Sequence, residues 1–377
     1  YEFIYLVKAS SLKFEEAKLS FSPWIQLENK LYRFWLLLPI EHSKLDGWLI
    51  RLEVFPTSFE GFLLIFLFKF LILILDDLCA IFIYKIGKVF DESKALTALM
   101  AWLLNPYVIL TAEMIGSNDL VLVFLVLLSI WLILKGKKFL GCFSLMLGIA
   151  FKLYSILAAP ILAIYMFKKR LKKELMALTL SVAFGVFLYS FWLEKAGLNF
   201  AYTLLNYSPL TFQVSEMFLS QYTARVGLSV TSATAYAFLI FNYWRINEDK
   251  ALVTKGFLGL LLVYFAFFNW WPQYLLILVS FLALDYAKNK KYFYAILILA
   301  FFIELVYFEF ATEQTFFFIY NYADWMHKAS LALIKFKSNI ASEIVLGPLL
   351  RSIYAILSLI YALKILFNFS LIKICKS

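Results

Sequence analysis

Residues 112–120 read AEMIGSNDL and carry Glu113, Asn118 and Asp119 close together. Two carboxylates and an amide beside membrane hydrocarbon are costly, and ionisable residues at such depth point to a functional site. Asn118 and Asp119 equally suit a turn and a helix start, where such side chains bond nearby backbone, and Glu113 equally suits a contact with water. Lys152, in GIAFKLYSILAAP, is a cation between two apolar runs. It suits a phosphate or a pyrophosphate-linked lipid; the alternative is an ammonium that snorkels to an interface. NWWPQYLL at 269–276 offers two tryptophans, a proline hinge and Gln273. This set suits sugar stacking with Gln273 on hydroxyls, or an interfacial aromatic belt. Arg225, in SQYTARVG, is a planar fork that matches phosphate, or else a solvated charge. Asp76 and Asp77 lie deep in LILILDDLCAIFIYKIG, where charge is costly. Lys69, two turns earlier, is a candidate partner, and packing into a bundle is their plainer role.

These residues need elements to hold them, and composition says which kind. The 377 residues are 63% hydrophobic and 20% aromatic, well above a soluble domain's usual half. Repeated membrane spans account for the excess. The net charge is +10, but the basic residues sit in short clusters between apolar runs, as in cytoplasmic loops. No basic face with interleaved aromatics points to nucleic acid. Cys79, Cys142 and Cys375, with His42 and His327, show neither metal-ligand nor disulfide spacing, so no metal site is assigned.

The basic clusters are 85–88 with Lys94, 135–138, 168–173, 245–255, 288–291, and Lys364, Lys373 and Lys376. If all face the cytoplasm, an even number of crossings separates neighbours. The apolar runs 61–84, 95–112, 119–134, 139–151, 153–167, 175–193, 228–243, 251–268, 273–287, 292–309 and 346–367 allow this. They predict an all-α, polytopic transmembrane helix bundle of about 11 visible spans, several of them short or re-entrant. Residues 1–60 become the first non-cytoplasmic loop. Residues 61–377 become the bundle, with outer loops 194–227 and 310–345. The chain starts at Tyr1 rather than Met, and a further span is expected upstream.

A helix of about 15 residues rises only about 23 Å, against a hydrocarbon core of about 30 Å. Such helices end below the outer surface, where irregular backbone is tolerated only if buried or lining a wet cavity. The hinges at 113–119, 152 and 269–273 are therefore expected to line a recess open to the outside.

Taken together, these stretches resemble the membrane glycosyltransferases of type C architecture. The likeness is to the first mannosyltransferase of glycosylphosphatidylinositol synthesis and its prokaryotic relatives. It is carried by Asn105 and Pro106 in LNPYVIL, then by Gly116, Asn118 and Asp119, which match a G-N-x-D/E turn. Gly148, Ala150, Lys152 and Tyr154 match G-x-A-x-K-x-Y-P, with Ser155 in place of proline. Asp77, Leu78 and Tyr84 match D-L-L-x-x-x-L-L-Y, and Gln273 and Tyr274 match Q-Y-x-L. EFIYLVKASSLKFEEAKLSFSPW and LYRFWLLLP resemble the first outer loop of these enzymes, placing Glu2 where they carry a catalytic Asp.

The resemblance implies inverting transfer of a sugar, commonly mannose, from a polyprenyl- or dolichyl-phosphate donor to a lipid-linked or glycan acceptor. The active site would lie on the extracellular or luminal side of an integral, multi-pass protein surrounded by membrane lipids. Glu2 and Asp119 would be the catalytic carboxylates, with Glu15 and Glu16 as rivals. Glu113, Asn118, Lys152, Tyr154, Arg225, Gln273 and Tyr274 would bind substrate. No cofactor is assigned, and a divalent metal ion on the outer carboxylates is left open. Two other readings stand beside this one. A transporter or lipid flippase also suits a polar recess in a bundle, though no internal repeat is visible. A non-catalytic, type C-like subunit fits the departures at Glu2 and Ser155.

Overall fold

The computed structural model describes residues 59–114, 117–195, 234–244, 252–267, 274–286, 289–307 and 346–374. Among them, all regular structure is helical. Helix α1 (Phe59–Phe90) is one long apolar run that ends in KIGKVF. Asp91 then caps α2 (Glu92–Leu103), its carboxylate accepting from the Ser93 N–H at 3.1 Å.

Lys94 closes on the same Asp91 carboxylate at 2.6 Å. The Lys94 bond and then the Ser93 bond hold the Asp91 carboxyl at about 2, below the usual carboxylate range. A lowered folded-state value means the cap's contribution is complete above about pH 4 and lost as pH falls through about 2. Melts of Asp91→Asn should therefore lack the part of the acid destabilisation that wild type shows across that window. An acid limb of the same depth in both proteins would contradict the assignment.

The run expected as one span over 95–112 is broken in the middle. Pro106 lacks an N–H and clashes with a preceding helical turn. Asn105, at its N-terminal side, accepts the Tyr107 N–H at 2.9 Å. A short α3 (Pro106–Val108) and a π-helical turn (Ile109–Met114) follow. Then come α4 (Asp119–Leu134) and α5 (Lys138–Phe151), joined by a tight turn in which Gly136 takes a φ of 83°. A 3-10 turn (Leu153–Ala158), α6 (Ala159–Lys168) and α7 (Lys172–Lys195) continue the chain. Beyond α8 at 234–244, a second π turn (Leu252–Gly256) leads into α9 (Phe257–Phe267). Helices α10 (Leu275–Asp285), α11 (Lys290–Tyr307) and α12 (Leu346–Ile374) complete the described elements.

Helix α1 packs on α2 and α4, α5 packs on both α4 and α7, and α12 packs on α9 and α11. Helix α10 contacts α2, α4 and α9 and so ties the parts together. Trp102, Tyr107, Phe257 and Phe281 are among the buried large side chains. Asp76 is buried too, and the Trp102 indole Nε1–H donates to its Oδ1 at 2.9 Å. This donor comes from α2, a contact that the sequence did not point to. Asp77, one position on, is exposed.

Glycines set the closest approaches. A Cβ on Gly141 would lie 2.8 Å from the Ser129 carbonyl oxygen, and one on Gly185 2.9 Å from that of Met146. Ser129 Oγ donates to the Gly141 carbonyl at 2.7 Å and locks that contact. Gly141→Ala should push α4 and α5 apart and cost about 1–3 kcal/mol. A thermal melt in detergent checks this, and an unchanged midpoint would contradict it.

The outer face of α7 is apolar, with Met176 63%, Leu180 62% and Phe187 57% exposed. Lys172–Trp192 is the one stretch among the described residues that is long and apolar enough to cross a membrane. Residues 119–134, 138–151, 153–168, 253–267 and 275–285 form shorter apolar helices, roughly 17–24 Å long at 1.5 Å per residue.

Candidate functional site

Helix breaks bring the polar groups together. Helix α5 ends at Lys152, whose extended backbone (φ −146°, ψ 126°) opens the 3-10 turn. Its ammonium donates to Asp119 Oδ1 at 2.8 Å and to Asn118 Oδ1 at 3.3 Å. Tyr154, two residues on, donates its hydroxyl to the same Asp119 Oδ1 at 2.6 Å. Ser117 Oγ donates to Asp119 Oδ2 at 3.3 Å. The Asp119 N–H in turn reaches Ser117 Oγ at 3.2 Å, while Asn118, in the cap position, makes no capping bond. The start of α4 is thus tied by Ser117, and the Asn118 and Asp119 side chains face the break after α5.

Asp119 is fully buried, whereas the Lys152 side chain keeps 25% exposure. A buried carboxylate that accepts from several donors is fixed in place. Its partner is thereby held at the edge of the cluster. Tyr274, just before α10, supplies an aromatic wall: its ring lies 5.4 Å from that of Tyr154, and the Lys152 ammonium sits 5.3 Å from its centroid. Tyr189 on α7 lies within electrostatic reach of Lys152.

Of the residues assigned from sequence, the structure brings Asn118, Asp119, Lys152, Tyr154 and Tyr274 into one cluster. The Glu113 backbone lies in the π turn just upstream, and nothing is described of its side chain. Glu2, Arg225 and Gln273 lie outside the described residues, as do Glu15 and Glu16. Sequence reasoning missed Ser117 and Tyr189. The spacing of Ser117 two before Asp119 is a local capping signal; Tyr189 has no sequence signal, because only packing brings α7 to the cluster. Among the described residues no three His, Cys, Asp or Glu side chains converge to hold a metal ion.

Ser155 is buried against Gly148, and its Oγ has no hydrogen-bond partner among the described residues. Its N–H, however, bonds the Lys152 carbonyl at 3.2 Å. Proline here would lose that bond, and alanine would keep it. Ser155→Ala should leave stability within about 0.5 kcal/mol or raise it, as thermal melts would show; a loss beyond about 1 kcal/mol would contradict it.

Two comparisons with known proteins bear on this site. The family model described as alpha-(1->6)-mannopyranosyltransferase, N-terminal domain, matches residues 32–168. A curated relative, GPI mannosyltransferase 1 of the yeast Debaryomyces hansenii, is 31% identical over 106 residues, covering 26% of this chain. The match spans about a quarter of that relative's length, 25%. No solved structure matches the chain. The family match takes in Asn118, Asp119, Lys152 and Tyr154, and Tyr274 lies beyond it. The chain is therefore mannosyltransferase-like, in keeping with the type C resemblance of its motifs, with the family likeness placed in residues 32–168.

Proposed function

We propose that this chain is an inverting mannosyltransferase. It moves mannose from a polyprenyl- or dolichyl-phosphate donor to a lipid-linked or glycan acceptor on the non-cytoplasmic face. The observation that carries this reading is the Lys152 ammonium, fixed by buried Asp119 and by Asn118 beside Tyr274. A fixed cation stabilises negative charge as it develops, with no reorganisation at the moment of reaction. The charge that develops here is on the departing lipid phosphate. In the same step a base takes the acceptor hydroxyl proton, the freed oxygen attacks the anomeric carbon from the opposite face, and the sugar–phosphate bond breaks.

Lys152 binds the leaving phosphate in this account. Asp119 and Tyr154 position Lys152, and Tyr274 and Asn118 face the sugar. Glu2 is the proposed base, with Arg225, Gln273 and Glu113 as further substrate contacts. Both comparisons carry mannosyltransferase names, which supports the sugar.

The polytopic bundle belongs to the same proposal. Large apolar side chains face outward on α7, and also on α5 with Phe139 58% and Phe143 53% exposed. Water does not suit such a surface and hydrocarbon does. The short helices supply the recess through which a long-chain donor reaches Lys152 from the side.

Binding of the leaving group isolates this claim from turnover. Polyprenyl monophosphate should bind the detergent-purified full-length protein and weaken by about tenfold or more in Lys152→Met. Equal affinity in both proteins would remove Lys152 from the phosphate site.

A further inference from the structure

Helices α1 and α4 run side by side in the same direction. The Cys79 thiol on α1 meets the Leu120 carbonyl on α4 at 3.8 Å. Farther along both, the Phe82 ring packs on Phe124 and Trp131, with centroids 5.7 and 5.4 Å away. Phe124, Leu128 and Trp131 recur at helical spacing and are each only partly buried, so they form one stripe along α4. Ile74 and Ile81 expose an apolar edge beside it on α1. Trp131 lies roughly 18 Å along the helix from Asp119, so this end of the groove is remote from the Lys152 cluster.

The stripe ends in positive charge. Lys85 is exposed, and its ammonium lies 5.1 Å from the Trp131 ring centroid and 5.2 Å from that of Phe82. Lys135, one turn beyond Trp131, and Lys137 are exposed as well. Among the described residues these three ammonium groups meet no carboxylate, whereas Lys88, Lys94, Lys138 and Lys152 each do. Trp131 supplies an independent observation. Its indole Nε1 is buried and has no hydrogen-bond partner. Indole N–H groups ordinarily find an acceptor, and the side chains that flank this one, Lys85 and Phe82, offer none.

These features narrow the ligand. The lysines call for an anion, and the indole calls for an acceptor oxygen; a phosphate is both. A small soluble anion would leave the apolar stripe uncovered, whereas a phosphate with a hydrocarbon tail covers it. A zwitterionic head group would bring its own cation against the lysines, so the head group carries a net negative charge. Tryptophan favours head-group level, and basic sites between membrane helices take anionic head groups.

We propose that this end of the α1–α4 groove holds an anionic phospholipid. Its phosphate lies between Lys85 and Lys135 and accepts from the Trp131 indole, and one acyl chain runs along Trp131, Leu128 and Phe124. A cation over a ring at an exposed site is weakly held, so Lys85 turns onto the phosphate and opens the indole edge. This rests on the reading of the chain as a membrane protein, but not on its catalytic chemistry.

The test adds phosphatidylglycerol, phosphatidylcholine of the same acyl chains, or inorganic phosphate to the full-length protein in detergent, read by native mass spectrometry and thermal shift. Phosphatidylglycerol should bind about tenfold or more tighter than phosphatidylcholine. Lys85→Met with Lys135→Met should erase that preference. Trp131→Phe, which keeps a ring and removes the N–H, should weaken phosphatidylglycerol and leave phosphatidylcholine unchanged. Lys172→Met with Lys173→Met removes the same charge from exposed positions at the start of α7, and the preference should survive it. It should survive Lys152→Met too. Equal binding of the two lipids would overturn the proposal while leaving the membrane reading intact; retention of neither lipid would overturn both. An equal loss of preference in the α7 pair or in Lys152→Met would overturn the assignment to this groove. A shift with inorganic phosphate as large as with phosphatidylglycerol would overturn the lipid.

Discussion

Lys152→Met should lower kcat for mannose transfer by about 10²–10³, equivalent to about 2.7–4 kcal/mol of transition-state stabilisation. Methionine keeps the length and apolar stem of lysine and removes only the charge. The ammonium is held by Asp119 at 2.8 Å and by Asn118 at 3.3 Å, so it does not need to be recruited during the reaction. Lys152→Arg is the sharper control. Arginine keeps the charge, but its planar fork does not reproduce a compact point charge at 2.8 Å from a fully buried carboxylate. Partial activity in the arginine variant, with little in the methionine variant, would show that charge and position both matter. Full activity in Lys152→Met would remove the cation from the mechanism.

Asp119→Ala should destabilise the fold by about 3 kcal/mol, at the low end for a broken buried pair because Lys152 keeps partial exposure. The loss would come mostly from what is left behind. Lys152 and Tyr154 would both lose the Oδ1 acceptor they share, and Ser117 would lose its bond to Oδ2. Asp119→Asn should cost less, since the amide oxygen still accepts. The Asp119→Ala, Lys152→Met double variant should recover part of the single variant's loss, because the cation left without its carboxylate is gone as well. Melting midpoints in detergent measure all three. Additive losses would show that the pair does not act as a unit.

The two expectations also separate positioning from direct contact. Asp119 has no exposure, and in the proposed account it acts on substrate through Lys152. Asp119→Asn should therefore lower kcat while leaving KM for the acceptor nearly unchanged. A rise in KM with kcat constant would instead put Asp119 on the acceptor.

The helix boundaries were legible where an apolar run met a charged turn. The run 119–134 became α4 (Asp119–Leu134), because GSND before it and KGKK after it both stop a buried helix. The hinge at Lys152 was legible for the same reason: one lysine between two apolar runs marks a break, and α5 ends there. The run 95–112 was less legible. Its hydropathy is continuous, and the interruption comes from backbone chemistry at Asn105 and Pro106 that a hydropathy reading smooths over.

The site shows the same division. Asn118, Asp119, Lys152 and Tyr154 were named from polar residues in apolar context and from motif order, and they meet in space. What sequence could not supply was which atom holds which. The Lys152–Asp119 bond spans 33 residues and the Trp102–Asp76 bond 26. Both depend on helix packing that no local pattern encodes. Ser155 shows the reverse: the departure from the usual proline was visible, but the N–H that serine gives to the Lys152 carbonyl was not.

The central claim is that this chain transfers mannose from a lipid phosphate with Lys152 at the leaving group. The most direct test supplies purified full-length protein with radiolabelled polyprenyl-phosphate mannose and a lipid-extract acceptor pool. The account predicts label in a new product with inverted anomeric configuration, and little or none from Lys152→Met folded to the same melting midpoint. No transfer by well-folded wild-type protein, or transfer from nucleotide-linked mannose instead, would contradict it.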